Sequence, residues 1–129
     1  MRKKVFGRKF SMSSTSRQGL FRSLIRSLVL YGKIETTKAK AKAIQADVDK
    51  LFKLVAKDDL AARRLAIAKL GNDTETVDKL FKLKPMTTDR KSGFTRIINL
   101  PNRKGDNAEV ARIEWVSMES SKKKEEVQK

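Results

Sequence analysis

The feature that most restricts how this chain can fold is an N-terminal stretch in which every charged side chain is positive. Residues 1–34 contain nine Lys or Arg residues, and the first carboxylate of the chain is Glu35. Surplus charge of one sign repels itself within a small folded body. A polyanion suits such a stretch, because each neutralised phosphate releases a condensed counterion whatever the base sequence. We therefore expect a basic arm whose partner is a nucleic acid.

The composition of the whole chain extends this imbalance and excludes several kinds of chemistry. Its 129 residues suit one modest domain with extensions, and 31 basic against 15 acidic residues give a formal net charge of +16. The chain contains no Cys and no His. Disulfides, thiolate nucleophiles, imidazole bases and zinc sites built from the common ligands are therefore excluded. We expect no enzyme, no cofactor and no metal site.

Two acidic pairs are the remaining candidates for a Mg²⁺ site. Asp47 with Asp49, and Asp58 with Asp59, could supply carboxylate ligands. In the simpler interpretation the first pair consists of solvated helix residues and the second pair starts a helix.

Hydrophobic periodicity divides the chain into an arm, a helical region and a sheet region. Residues 1–16 have no helical or strand period, and the Ser and Thr cluster at their end is typical of a helix cap. Four helices are predicted to follow, at residues 17–31, from about 37 to 57, at 58–70 and from about 74 to 81. Gly32 is predicted to end the first helix. The apolar positions of the third are Leu60, Ala61, Leu65, Ala66 and Leu70.

Two strands are predicted after a loop at residues 82–93. The first, at 94–100, places Phe94, Ile98 and Leu100 on one face, although Arg96 shares that face. The second, at 109–116, places Ala111, Ile113 and Trp115 together. A lone hairpin is marginal in water, so residues 33–36 are expected to add a third strand.

The predicted fold is α+β, with about four helices packed on a small two- to three-stranded sheet and an extended basic N-terminal arm. Residues 1–16 form the arm and residues 17–116 the globular domain. Residues 117–129 are highly charged with little apolar content, and we expect them to be disordered.

Basic residues outside the arm fall into three groups. Arg22 and Arg26 lie four residues apart on the polar face of the first helix, where a planar guanidinium matches phosphate oxygens. Lys38, Lys40 and Lys42 occupy the first turns of the second helix, where the helix dipole disfavours cations. The third group brackets the loop and the hairpin tip and consists of Lys82, Lys84, Arg90, Lys91, Arg96, Arg103 and Lys104. Each group could instead be an ordinary solvated surface.

Aromatic residues in the arm have two interpretations. Phe6 and Phe10 lie among its charges. They could stack on exposed bases, as in single-strand binders, or fold back onto the domain.

Several motifs, in order along the chain, resemble one known family. They are Gly7-Arg8-Lys9-Phe10, residues 13–17, Lys33-Ile34-Glu35-Thr36-Thr37, Lys38-Ala39-Lys40-Ala41-Lys42, Arg63-Arg64, Asp89-Arg90, Gly93-Phe94-Thr95-Arg96-Ile97 and Arg103-Lys104-Gly105-Asp106. The chain resembles the bacterial-type large-subunit ribosomal protein family numbered seventeen. The likeness spans residues 1–116.

The resemblance implies a structural protein, bound to the ribosome in the cytoplasm or in an organelle, that does no chemistry. Its implied partners are large-subunit rRNA near the peptide exit tunnel and neighbouring ribosomal proteins, with no homo-oligomer and no membrane. Family members usually have His in the arm and a further Arg where this chain has Met12. Roles of those residues therefore do not transfer. Together with the basic groups above, the expected RNA contacts are Arg2, Lys3, Gly7, Arg8, Lys9, Arg17, Arg22, Arg26, Lys38, Lys40, Lys42, Arg90, Lys91, Arg96, Arg103 and Lys104.

Three alternatives compete with this prediction. A nucleoid DNA-binding protein would carry similar charge, but it should dimerise and bind DNA as tightly as RNA. The apolar stripe of residues 20–29 could lie on a membrane surface, although the stripe is better explained as core. The acid-free start superficially resembles a mitochondrial transit peptide, but its Gly7 and scattered polar residues make a poor amphipathic helix.

Overall fold

The computed structural model of the protein describes residues 7–116, except for Asp89, of which only the backbone is described. The predictions for Arg2, Lys3 and Phe6, and for a disordered tail at 117–129, lie outside the described residues. The elements in chain order are α1 (Ser14–Tyr31), β1 (Lys33–Thr37), α2 (Lys38–Lys57), α3 (Leu60–Lys69), α4 (Thr74–Lys82), α5 (Met86–Asp89), β2 (Thr95–Asn99) and β3 (Val110–Trp115).

A three-stranded antiparallel sheet lies under the helices in the order β1-β3-β2. Ile34 of β1 and Ile97 of β2 both pair with Ile113 of β3, so one apolar row crosses the sheet. The predicted α+β class and the third strand are confirmed, with five helices instead of about four.

The hydrophobic core lies between α2 and the inner face of the sheet. Phe52 is fully buried, and its ring stacks on that of Phe94 at 4.3 Å between centroids. Trp115 meets the same ring edge to face at 5.3 Å. The apolar stripe of α1 enters this core through Ile25 and Leu28. That stripe is therefore part of the core, and the prediction that preferred a core role to a membrane-facing role is confirmed.

The ends of α1 follow from its capping residues. The Ser13 hydroxyl accepts a hydrogen bond from the Ser16 N–H, so the helix begins at Ser14. The predicted start at Arg17 is wrong by three residues, because the cap is near the middle of the Ser and Thr cluster. Gly32 ends the helix as predicted, with a φ of 77° that favours glycine.

The apolar positions predicted for the third helix are confirmed at Ala66 and Leu70, which are buried, and are wrong at Leu60, Ala61 and Leu65, which are exposed. Asp59, not Asp58, caps its N-terminus, and Asp58 ends α2 in the left-handed region at φ 50°. The buried residues of α3 are Ala62 and Ala66, whereas Leu60 and Leu65 are 65% and 54% exposed. Small alanine side chains let α3 pack closely against α2 and α4, and this contact turns the two leucines outward.

Two further predictions are corrected near the sheet. Residues 82–93 are not entirely loop, because α5 follows Pro85, whose fixed φ suits a helix start. The inner face of β2 holds Thr95 and Ile97, and Ile98 points outward. Arg96 also lies outward, because it pairs with Glu114 on the outer face of β3. The inner face predicted for β3 is confirmed by the buried Ala111 and Ile113.

No helix in the described part of the chain is long and apolar enough to cross a membrane.

Candidate nucleic-acid interface

The part of the arm that the structure describes turns back against α1. Phe10 and Ser11 have positive φ values, and the Phe10 ring packs edge to face on Phe21 at 6.1 Å. The Arg17 guanidinium donates long hydrogen bonds of 3.5 and 3.4 Å to the carbonyls of Lys9 and Met12. The extended conformation predicted for the arm is therefore wrong at residues 9–12. The sequence left open whether Phe10 stacks on bases or folds back onto the domain, and in the structure it folds back onto the domain.

The basic end of the arm lies beside the start of α2. Gly7 and Arg8 line a cavity of about 480 Å³ together with Lys42, Lys50 and Phe21. Within residues 7–116, neither Arg8 nor Lys9 forms an ion pair, and both side chains are exposed. The fold thus brings together two groups of cations that are more than thirty residues apart in the sequence.

The three lysines at the start of α2 do not form one cluster. Lys40 and Lys42 lie about 160° apart around the helix, so they point to different sides. Lys38 pairs with Glu109 at 3.3 Å. Only Lys42 lines the cavity with the arm.

A stripe of lysines runs along the exposed side of α2. Helical geometry places Lys42, Lys50, Lys53 and Lys57 within about 80° of one another, over a length of about 22 Å. All four are exposed and lie opposite the buried face of the helix. In the described chain Lys50 alone of the four has an acidic partner, Asp47 at 3.2 Å. Sequence reasoning missed Lys50, Lys53 and Lys57, although their spacing from Lys42 was a usable signal.

The segment before β2 adds cations to the far part of this stripe. The Asp49 carboxylate accepts hydrogen bonds from the N–H groups of Gly93 and Phe94, at 3.3 and 3.4 Å. This contact holds the segment against α2. Arg90 and Lys91 consequently line a cavity of about 210 Å³ with Lys53.

We call the resulting surface the α2 face. It consists of Arg8, Lys42, Lys50, Lys53, Lys57, Arg90 and Lys91. Its cations come from the arm, from α2 and from the segment before β2. Such a row of positive charge can neutralise several successive phosphates of a nucleic-acid backbone.

Two arginines predicted as anchors on α1 contact other helices of the protein. Nε of Arg22 donates to the carbonyl oxygen of Lys69 at 3.1 Å. Arg26 pairs with Asp73 at 2.6 Å, and Asp73 caps α4 by accepting from the Thr76 N–H. The Thr76 hydroxyl bond lowers the pKa of Asp73 most strongly, followed by the Thr76 N–H and then Arg26. These two arginines therefore fasten α1 to the rest of the helical layer.

The remaining predicted contacts lie on the sheet and the hairpin tip. Arg96 pairs with Glu114, and Arg103 pairs with Asp106. The Arg103 hydrogen bond lowers the pKa of Asp106 to about 2, and the same pair raises the pKa of Arg103. Lys104 is exposed and has no ion-pair partner among residues 7–116. The structure does not bring these residues to the α2 face.

Comparison with known proteins identifies the family. The family model described as ribosomal protein L17 matches residues 20–116. The chain belongs to the ribosomal protein L17 family. This finding confirms the resemblance drawn from the motifs, and it makes the protein a structural, non-enzymatic component of the ribosome.

Relatives match along nearly the whole L17 chain. The "large ribosomal subunit protein bL17" of Hydrogenobaculum sp. is 48% identical over 118 residues, which cover 90% of this chain and 99% of the relative. The protein of the same name from Persephonella marina is 44% identical over 118 residues, covering 90% and 95%. That of Syntrophotalea carbinolica is 44% identical over 120 residues, covering 92% and 77%. As a member of this family, the chain is a ribosome-bound protein.

The acidic pairs of this L17 protein have structural partners. Asp58 pairs with Lys84 at 2.7 Å, and this hydrogen bond is the largest cause of its lowered pKa. Asp59 caps α3, Asp47 pairs with Lys50, and Asp49 holds the segment before β2. The described residues contain no group of three or more acidic side chains suited to a metal.

Proposed function

We propose that the protein fastens itself into the large ribosomal subunit by binding large-subunit rRNA through its α2 face and its basic arm. Membership of the L17 family makes it a structural constituent of that subunit. The observation that carries the proposal is the lysine stripe of α2, which is continuous with Arg8 at one end and with Arg90 and Lys91 at the other.

The geometry of the stripe suits the backbone of a folded RNA. Double-helical RNA offers proteins mainly its phosphates and 2′-hydroxyls, so it is bound largely by shape and charge. Four lysines over about 22 Å can each approach a different phosphate. The formal net charge of +16 adds a long-range attraction that speeds association.

Eight further predicted contacts form a second part of the proposal, and Gly7, Arg17, Arg22 and Arg26 stay predictions. Lys9 would extend the α2 face along the arm, and Arg2 and Lys3 would supply further phosphate contacts. Lys38, Lys40, Arg96, Arg103 and Lys104 would contact RNA or neighbouring ribosomal proteins that approach from the sheet side. The family resemblance supports a position near the peptide exit tunnel.

The proposal predicts how affinity depends on salt. The triple variant Lys42→Gln, Lys50→Gln, Lys53→Gln removes three cations from the α2 face. If each contacts one phosphate, the slope of log affinity against log salt becomes shallower by about two to three. The measurement is a filter-binding titration of the full chain with large-subunit rRNA at several salt concentrations.

The control is a second triple variant with the same loss of charge away from the α2 face. It changes Lys33 of β1 and Lys79 and Lys82 of α4 to Gln. We expect it to retain most of the salt slope. Equal losses in the two triple variants would show that net charge, and not the α2 face, determines the affinity.

A further inference from the structure

A groove between α1 and α3 continues the α2 face into an apolar pocket. The cavity at Arg8 and Lys42 adjoins a second cavity of about 510 Å³, and the two share Phe21, Asp47 and Lys50 as lining residues. The second volume is within the range of about 300–1,000 Å³ that small-ligand sites occupy. The end of the groove at Arg8 and Lys42 is therefore basic.

The far end of the groove is apolar and partly open. Ile25, Leu51 and Leu70 form its buried wall, and Leu65 lies at its edge with 54% of its surface exposed. An exposed leucine beside a concave apolar wall gives a flat, uncharged ligand a surface to cover.

The charges around the groove select an anionic ligand. Arg22, Lys50 and Lys69 line the apolar cavity, and Asp47 is the only acidic residue that lines it in the described chain. Asp47 already accepts a hydrogen bond from Lys50 at 3.2 Å. A ligand with both an anionic group and a flat apolar group would satisfy the two ends together.

We propose that the groove binds one unstacked nucleotide of a single-stranded rRNA segment. Its phosphate lies between Arg8 and Lys42, and its base lies against Phe21 and Leu65. Unstacked bases in RNA loops are bound in this way, by cations on the backbone and by side chains on the base faces. Gln18, which also lines the cavity, supplies an amide that can hydrogen-bond the edge of a base. This inference rests on the proposed function.

Two leucines of α3 make a matched pair of variants. Leu65→Gln removes the apolar edge of the groove without adding charge. Leu60→Gln makes the same change at a residue that is 65% exposed and does not line the groove. Because both side chains are largely outside the core and Gln is a good helix former, both variants should fold. Equal melting temperatures of the two full-length variants check this point.

The probes are a short oligouridylate and a strand of the same length whose riboses carry no bases. We expect Leu65→Gln to weaken binding of the oligouridylate by about fourfold, the loss expected for about one buried methylene. It should leave the abasic strand unaffected, and Leu60→Gln should leave both unaffected. Equal weakening of both strands by Leu65→Gln would overturn the base site, as would an unchanged affinity for the oligouridylate.

Failure of this inference is distinguishable from failure of the proposed function. If Leu65→Gln has no effect while the triple lysine variant of α2 still weakens rRNA binding, the nucleotide site is wrong and the α2 face stands. If the triple lysine variant binds rRNA as tightly as the parent protein, the proposed function itself is wrong.

Discussion

At the scale of single residues, Asp73 connects the helices through its charge. It accepts hydrogen bonds from the backbone and the hydroxyl of Thr76, and it pairs with Arg26 of α1. These contacts favour the carboxylate, so the pKa of Asp73 in the folded protein is below its ordinary value of 3.8. The stabilisation from this group is present above pH 3.8 and is lost as the pH falls through the lower, folded pKa.

Removing the negative charge of Asp73 tests whether its carboxylate stabilises the fold. Asp73→Asn keeps a side-chain oxygen for the helix cap but replaces the carboxylate with a neutral amide that does not titrate. We expect the variant to be less stable than the parent at pH 7, and the difference to shrink as the pH is lowered below 3.8. Urea unfolding at a series of pH values measures this, and a difference independent of pH would contradict the role given to the carboxylate.

At the scale of elements, α1 is fastened to the helical layer by arginines that the sequence alone suggests as RNA contacts. Arg26 reaches the cap of α4, and Arg22 reaches the end of α3. Lys53 on α2 has no ion-pair partner in the part of the chain that the structure describes. The two kinds of cation should therefore respond differently to removal.

We expect Arg26→Gln to lower the melting temperature of the free protein and to change the salt slope of rRNA binding little. Lys53→Gln should leave the melting temperature nearly unchanged and make the salt slope shallower, because its side chain belongs to the α2 face and forms no ion pair within residues 7–116. Thermal melts and salt titrations of both variants measure the contrast. A large loss of rRNA affinity in Arg26→Gln with an unchanged melting temperature would contradict this contrast and support the prediction that Arg26 contacts RNA.

Local patterns predicted most elements of this fold and few of its charge contacts. Gly32 and the apolar period of α2 depend on neighbours in the sequence, so the end of α1 and the extent of α2 were predictable. The outward position of Leu65 was not, because packing against α2 and α4 buries Ala62 and Ala66 instead. The pairing of Arg26 with Asp73 depends on contacts between helices that no local pattern encodes.

At the scale of the whole molecule, the cations fall into two sets, those that form an ion pair with another residue of the protein and those of the α2 face, which mostly form none among residues 7–116. Ion pairs within the chain engage Arg26, Arg96 and Arg103, and they hold helices, sheet and hairpin together. The cations of the α2 face mostly lack such partners among residues 7–116, and they face away from the core. In the proposed complex, the rRNA backbone would neutralise that surface of a chain whose net charge is +16.

The central claim is that the α2 face lies on rRNA within the large subunit. The most direct test places a photo-reactive benzoyl-phenylalanine at the position of Lys53, or of Lys82 as a control, in the full chain incorporated into large subunits. After irradiation, we expect cross-links to rRNA from the Lys53 position and fewer from the Lys82 position. Cross-links from the Lys53 position to proteins alone, with rRNA cross-links at the Lys82 position, would contradict the account.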